Sequence, residues 1–191
     1  MPVNMTEIRW HGRGGQGAKT AAQLMAKVAA EEGNHSQGCP EYGPERTGAP
    51  IRAYTRISEG PIDLHCAINE PDVVVVLDES LLDSESCIDG VKEGGKVLVN
   101  TTHSPQEMRS ILGCPESVKV MTIDATGISI DEIGRPFPNT PMTGALIRAT
   151  GAIKLESLFK DIEKKFKRKG AQIVEGNIRC LKRAYDEVNE G

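Results

Sequence analysis

The residues best suited to chemistry by type and spacing are Gly12-x-Gly14-x-x-Gly17. Glycines so placed let a backbone turn tightly from a strand into a helix. The free N–H groups at the helix start then favour an anion. The pattern suits a phosphate-bearing ligand, or else a tight turn that holds no ligand. Two features argue against a nicotinamide dinucleotide. The helix leads into a Pro/Gly-rich stretch instead of a second strand with an acidic tip, and Arg13 and Gln16 make the loop polar. A nucleotide-hydrolysing P-loop is missed by one residue, because Ala18 precedes Lys19-Thr20. That insertion turns Lys19 by about 100° around a helix of about 3.6 residues per turn.

The other candidates carry blander readings. Asp78 and Asp124 close apolar strands, where ligands of open sheets bind, but Asp at a strand end is more often a helix cap. His11, beside the glycine loop, reads as a satisfied, partly buried imidazole. His35, His65 and His103 have no metal-ligand spacing. Cys39, Cys66, Cys87, Cys114 and Cys180 form no CxxC pair, which argues against zinc, redox-pair or iron–sulfur ligation by this chain and suits reduced thiols in a cytoplasm. Lys164-Lys165-Phe166-Lys167-Arg168-Lys169 reads as a solvated helix face rather than a seat for an acidic partner.

The elements that must position these residues follow from periodicity. Thr6–His11 is a first strand and Ala18–Glu32 a helix whose Ala21, Leu24, Met25 and Val28 share one face. Asn34–Pro50 is irregular, with no apolar period. Ile51–Ile57 alternates as a strand whose polar face, with Arg52, Tyr54 and Arg56, is exposed or partner-facing. Val73–Leu77, Lys96–Val99 and Val118–Ile123 are β-branched runs of the kind buried on both faces of a parallel sheet. Helical or turn segments fall around Ser80–Lys92 and Ser104–Leu112. Pro136, Pro138 and Pro141 punctuate a loop. Helices follow over Met142–Ala149, Leu155–Phe166 (with Glu156–Lys160, Asp161–Lys165 and Glu163–Lys167 pairs) and Ala171–Glu190. The fold class is α/β, a doubly wound, mostly parallel sheet with a C-terminal helical segment. It forms a single domain over 1–191, with the sheet and crossover helices in 1–135 and the Pro-rich loop and helices in 136–191.

The chain has 191 residues and a formal net charge of −4. That length suits one domain, and the acidic balance gives no reason to expect nucleic acid as a partner. No apolar run approaches the roughly 20 residues of a membrane helix, so a cytoplasmic protein is expected.

Three blocks carry a resemblance. They are His11-Gly12-Arg13-Gly14-Gly15-Gln16-Gly17, Pro40-Glu41-Tyr42-Gly43-Pro44-Glu45-Arg46-Thr47-Gly48-Ala49-Pro50 and Gly134-Arg135-Pro136-Phe137-Pro138-Asn139-Thr140-Pro141-Met142-x-Gly144-Ala145-Leu146. In this order, spanning nearly the whole chain, they resemble the gamma subunits of 2-oxoacid:ferredoxin oxidoreductases. The form of the second block is similar to the pyruvate type, with the branched-chain 2-oxoacid type as an alternative. The Gly-Gly pair that usually follows the arginine in the 2-oxoglutarate type is missing. A free-standing Rossmann-type nucleotide- or coenzyme A-binding protein is the other alternative.

The resemblance implies a division of labour. The holoenzyme uses thiamine diphosphate with Mg²⁺, [4Fe–4S] clusters and coenzyme A, held on or between the alpha, beta and delta subunits. It converts pyruvate, coenzyme A and oxidised ferredoxin to acetyl-CoA, CO₂ and reduced ferredoxin, and can run in reverse. Its gamma chain is mainly an assembly element that can also border the coenzyme A site. No cofactor and no catalytic residue is expected on this chain itself, and with no delta-like extension after Gly191 it is expected to be inactive alone. Within this frame Gly12, Arg13, Gly14, Gly15, Gln16 and Gly17 are a candidate anion loop for coenzyme A. Arg13 would be the charge partner, because its planar donor fork suits phosphate. Tyr42, Gly43, Pro44, Glu45 and Arg46 are candidate interface residues, Tyr and Arg being enriched at binding hot spots.

Overall fold

The structure is a computed structural model that describes residues 4–41 and 47–191. Strand β1 (Met5–Arg13) alternates Ile8 and Trp10 against Arg9 and His11 and runs through the glycine loop into α1 (Ala18–Glu31). A hairpin of β2 (His35–Pro40) and β3 (Pro50–Ser58) follows, then β4 (Val73–Val76) and β5 (Lys96–Asn100). Helix α2 (Pro105–Leu112) starts at a capping box: Ser104 Oγ accepts from the Glu107 N–H at 3.3 Å, and the Glu107 carboxylate accepts from the Ser104 N–H at 2.8 Å. After β6 (Lys119–Ile123) come α3 (Ala125–Ile133), α4 (Asn139–Thr150), α5 (Leu155–Phe166), α6 (Ala171–Glu187) and a short β7 (Asn189–Glu190).

The strands form one sheet in the order β2-β3-β1-β4-β5-β6-β7. β1, β4, β5 and β6 run parallel, while the β2–β3 hairpin and β7 are antiparallel edges. From β1 the chain leaves toward the hairpin, and from β4 it leaves toward β5. The gap between their carboxyl ends is therefore a topological switch point, where ligands of open α/β sheets bind.

Two cores sandwich the sheet. Trp10, Leu98, Met121, Met142, Leu146 and Leu181 belong to the larger one, under α1 and α3–α6. Val74, Val76, Val97, Val99 and Val120 form the smaller, closed by Met108 of α2 and by Leu81 and Cys87. Polar ties orient the layers. The Trp10 indole N–H donates to Thr55 Oγ1 at 3.0 Å, and that hydroxyl donates to the Ala22 carbonyl at 3.0 Å, linking β1, β3 and α1.

The structure departs from the periodicity reading at several places. Asn34–Pro50 contains β2, whose half-exposed edge position needs no apolar alternation. The polar face of β3 is not left to solvent or a partner. Arg56 is 4 % exposed and bonds Glu7 at 2.9 Å, Tyr54 is buried and bonds Glu41, and only Arg52 stays partly open while pairing with Glu85 at 2.6 Å. Ser80–Lys92 holds one 3₁₀ turn, Glu79–Leu81, and otherwise turns, since its Ser and Asp side chains compete for backbone hydrogen bonds. α3 arises where β-branched residues and Gly127 masked a helix. α4 starts earlier than expected because Pro141 is tolerated in a first turn. The last helix stops at Glu187, and Asn189–Glu190 pairs with Met121–Thr122 of β6. Asp161 bonds Lys27 of α1 instead of Lys165, because it lies on the buried side of α5.

α4 and α6 pack closely at Gly144. A Cβ there would meet the Leu181 carbonyl oxygen and lie 3.0 Å from the Leu181 Cα. In an open helix Gly→Ala gains up to about 1 kcal/mol. Here the sign reverses: Gly144→Ala is expected to cost about 2 kcal/mol. Thermal unfolding should show a Tm roughly 4–8 °C below the parent.

Candidate functional site

The glycine loop spans the switch point and is held from every side. Gly17, at φ 88°, is the N-cap of α1 and makes no side-chain cap hydrogen bond, and a helix N-terminus at such a turn favours an anion. The Gly14 N–H donates to the Ala49 carbonyl at 2.9 Å and the Gly48 N–H returns to the Gly14 carbonyl at 3.0 Å. Gln16 Oε1 accepts from the Arg13 N–H at 2.7 Å, and Gln16 Nε2 donates to Asp78 at 2.6 Å. The Arg13 guanidinium donates to Ser80 Oγ at 2.8 Å and to the Gly48 carbonyl at 3.2 Å, and lies 3.4 Å from the Asp78 carboxylate. Partial burial opposes the charge of Asp78. Hydrogen bonds from Ser80 and Gln16 and the charge of Arg13 outweigh it, and the carboxyl sits below its ordinary value.

Gly12 and Arg13 thus end β1, and Gly14 to Gly17 form the loop proper. Arg13 spends its donors on the loop's own surroundings. Asp78 and Asp124 are caps, accepting from the N–H of Ser80 at 3.0 Å and of Gly127 at 2.7 Å. Asn100 closes the next strand tip by donating to the Leu77 carbonyl at 2.9 Å and to Thr126 Oγ1 at 2.8 Å. The segment Tyr42, Gly43, Pro44, Glu45 and Arg46 lies outside the described residues.

Among the described residues two openings flank the loop. A crevice of about 260 Å³ over the strand tips carries Asp78, Glu79 and Asp124, a lining that repels phosphate. A cavity of about 910 Å³ on the other side joins Gly15–Gly17 and Thr20 to Arg135, Asn139, Lys165 and Lys169, where an anion is favoured. Among the described residues no group of three His, Cys, Asp or Glu side chains is placed to hold a metal ion. No described helix is long and apolar enough to cross a membrane.

The three sequence blocks meet here. Gly48 and Ala49 of the second bond Gly14 of the first, and Asn139 of the third lies against Gly17, where a Cβ would come within 2.8 Å of its Cγ. The profile of the pyruvate ferredoxin/flavodoxin oxidoreductase family matches residues 7–187. The chain belongs to that family. Within it, the chain is 49 % identical over 191 residues to the pyruvate synthase subunit PorC of Thermotoga maritima, covering 98 % of each chain. It is 46 % identical over 184 residues to the common gamma subunit of the pyruvate/ketoisovalerate oxidoreductases of Thermococcus kodakarensis, covering 96 % of this chain and 97 % of that one. The crystal structure of the Thermotoga maritima pyruvate oxidoreductase subunit PORC superposes with a TM-score of 0.87 over 98 % of both chains, at 46 % identity.

Sequence reasoning missed the group that supports the loop of this oxidoreductase-family chain from beneath. Arg9 is buried and donates to the carbonyls of Ile68 at 3.2 Å, Cys87 at 3.0 Å and Asp89 at 2.6 Å, and through Nε to His11 Nε2 at 3.1 Å. The signal was present: Arg9 and His11 alternate with Ile8 and Trp10 on a central strand, so their face had to be covered by something polar.

His11, 2 % exposed, is held neutral. Burial first, then the charges of Arg9 and Arg52, bring its pKa from 6.5 down to about 3. Between these values the unfolded chain binds the proton and the folded chain does not, so this contribution to stability is whole above about 6.5 and is lost as pH falls. The expected slope approaches 1.4 kcal/mol per pH unit, to first order. Denaturant titrations between pH 7 and 4 should show the parent losing stability faster than His11→Gln. Parallel curves would refute the assignment.

Proposed function

We propose that this single-domain chain is the gamma subunit of a cytoplasmic, multisubunit pyruvate:ferredoxin oxidoreductase. The complex converts pyruvate, coenzyme A and oxidised ferredoxin to acetyl-CoA, CO₂ and reduced ferredoxin, reversibly. The observation that carries this reading is the near-complete superposition on the Thermotoga maritima pyruvate oxidoreductase subunit. Its partners are the alpha, beta and delta subunits, with ferredoxin docking on the assembled enzyme. Thiamine diphosphate, Mg²⁺ and the [4Fe–4S] clusters belong to those other chains. The five cysteines here are free and scattered, with Cys87 and Cys180 buried and their thiols pushed up to about 11 and about 12 chiefly by burial, a poor state for cluster ligation.

The chain's own work is assembly, with Tyr42–Arg46 as interface residues. It also borders coenzyme A through the glycine loop. Support for that second role comes from the glycine loop itself, which leads into the start of α1, where Gly17 brings no side-chain cap to the helix N-terminus. Arg13 serves it by holding the loop against Asp78 and Ser80. The shared pyruvate/ketoisovalerate gamma subunit among the relatives favours a second reading, in which this chain serves a branched-chain 2-oxoacid enzyme as well.

Anaerobic affinity purification of the tagged chain from its native host tests the assignment. The expected product is a brown complex that reduces ferredoxin with pyruvate and coenzyme A. Activity with 2-ketoisovalerate would separate the two substrate readings, and a lone, colourless, NAD-binding protein would overturn both. In the complex, Arg13→Ala is expected to raise the KM for coenzyme A roughly tenfold while leaving the KM for pyruvate unchanged.

A further inference from the structure

Among the described residues, five large apolar side chains remain exposed: Leu64, Ile111, Ile130, Phe137 and Ile173. Leu64 and Ile111 stand apart, as scattered surface residues ordinarily do. The other three, exposed by 50 %, 41 % and 41 %, line the same cavity beside the glycine loop. They come from three elements, the end of α3, the turn before α4 and the first turn of α6. No single local sequence preference explains their convergence.

Around them lies unbalanced positive charge. Arg135, Lys165 and Lys169 line the same cavity, and none takes part in an ion pair among the described residues. Lys165 and Lys169 hold their ammonium groups 5.5 and 5.3 Å from the centre of the Phe166 ring, which keeps both at this wall. The carboxylates of the wall are already neutralised. Glu132 is 2.6 Å from Arg179 and 3.0 Å from Arg183, and Asp131 is 3.2 Å from Arg183. A chain of net charge −4 thus concentrates three uncompensated cations around an apolar patch. The complement is an apolar side chain flanked by carboxylates.

We propose that this wall, formed by α3, α5 and α6, seats an acidic, apolar-centred segment of another subunit of the same oxidoreductase. Ile130, Phe137 and Ile173 make the dry centre of the contact, and Arg135, Lys165 and Lys169 make its charged rim. This rests on the gamma-subunit reading and adds the surface and the partner's chemistry. The arrangement follows the usual anatomy of an interface, an apolar centre ringed by groups that exclude water and steer the partner.

The test is recovery of the other subunits on the tagged chain, expressed with the whole complex. Phe137→Ser combined with Ile173→Asp should reduce recovery by roughly tenfold or more. Lys165→Glu combined with Lys169→Glu should reduce it about threefold or more, and wild-type recovery should weaken with added salt. Ile111→Asp, on α2 and away from this wall, should leave recovery unchanged. All substituted side chains are solvent-accessible, so the fold should survive, with far-UV circular dichroism as the check. If the apolar variant misfolds, the charge-reversal variant still decides. Full recovery with both wall variants overturns the proposal. So does normal recovery with a raised KM for coenzyme A, which would make the occupant a small ligand, or with a raised KM for ferredoxin, which would make it the electron acceptor. A wild-type chain that recovers no other subunit overturns the gamma-subunit reading itself, and that is seen before any variant is compared.

Discussion

A buried cation on the central strand governs how this fold is finished. Among the described residues Arg9 has no carboxylate within its shell of hydrogen bonds. Its guanidinium is satisfied by the carbonyls of Ile68, Cys87 and Asp89 and by the lone pair of His11. Burial and the nearby Arg52 both work against its charge. Backbone dipoles supply the compensation, and they can do so only if two long irregular segments, one before β4 and one after it, fold over the sheet. This explains why half of one sheet face has no helix: α2 covers β5 and β6, and loops pinned by Arg9 cover β1 and β3. Removing the guanidinium would leave the buried carbonyls of Ile68 and Cys87 unpaired, each costing about 1–3 kcal/mol.

The same strand carries the constraint outward. Beyond His11 the backbone enters the glycine loop, whose shape depends on Asp78 at the tip of β4. Gln16 and Ser80 bond that carboxylate, and Arg13 faces it. One acid thus joins the ends of two parallel strands at the point where the chain changes direction. The consequence is electrical. Carboxylates gather over the strand tips, while Arg135, Lys165 and Lys169 gather on the side of α3, α5 and α6, where Asp131 and Glu132 are already paired with arginines. Among the described residues, the two openings next to the loop therefore differ in the sign of their unpaired charge.

Much of the fold was legible because it obeys local periodicity. The β-branched runs became β4, β5 and β6, and the amphipathic stripe through Leu158 and Ile162 became α5. β2 and α3 were not legible. An edge strand exposes enough of both faces to lose its alternation, and α3 is short, β-branched and glycine-containing, held by the Asp124 cap and by packing against α6. The polar face of β3 was legible as polar but not as buried, since its covering comes from residues distant in sequence. The glycine loop was legible as a loop. The partners that consume Arg13 were not.

The sequence by itself determined the α/β class, the strand-to-helix glycine turn, the caps at Asp78 and Asp124, and, through three separated blocks, membership of the oxidoreductase family. Each of these is written in residues close together in the chain or in a motif with a fixed order. Tertiary structure alone decided that the three blocks meet at Gly14 and Gly17, that His11 is neutral beneath Arg9, and that Ile130, Phe137 and Ile173 share a wall with Lys165 and Lys169. These depend on contacts between residues tens of positions apart. Burial, screening and charge balance at such sites are set by whatever the fold brings within a few ångströms, which no local pattern encodes.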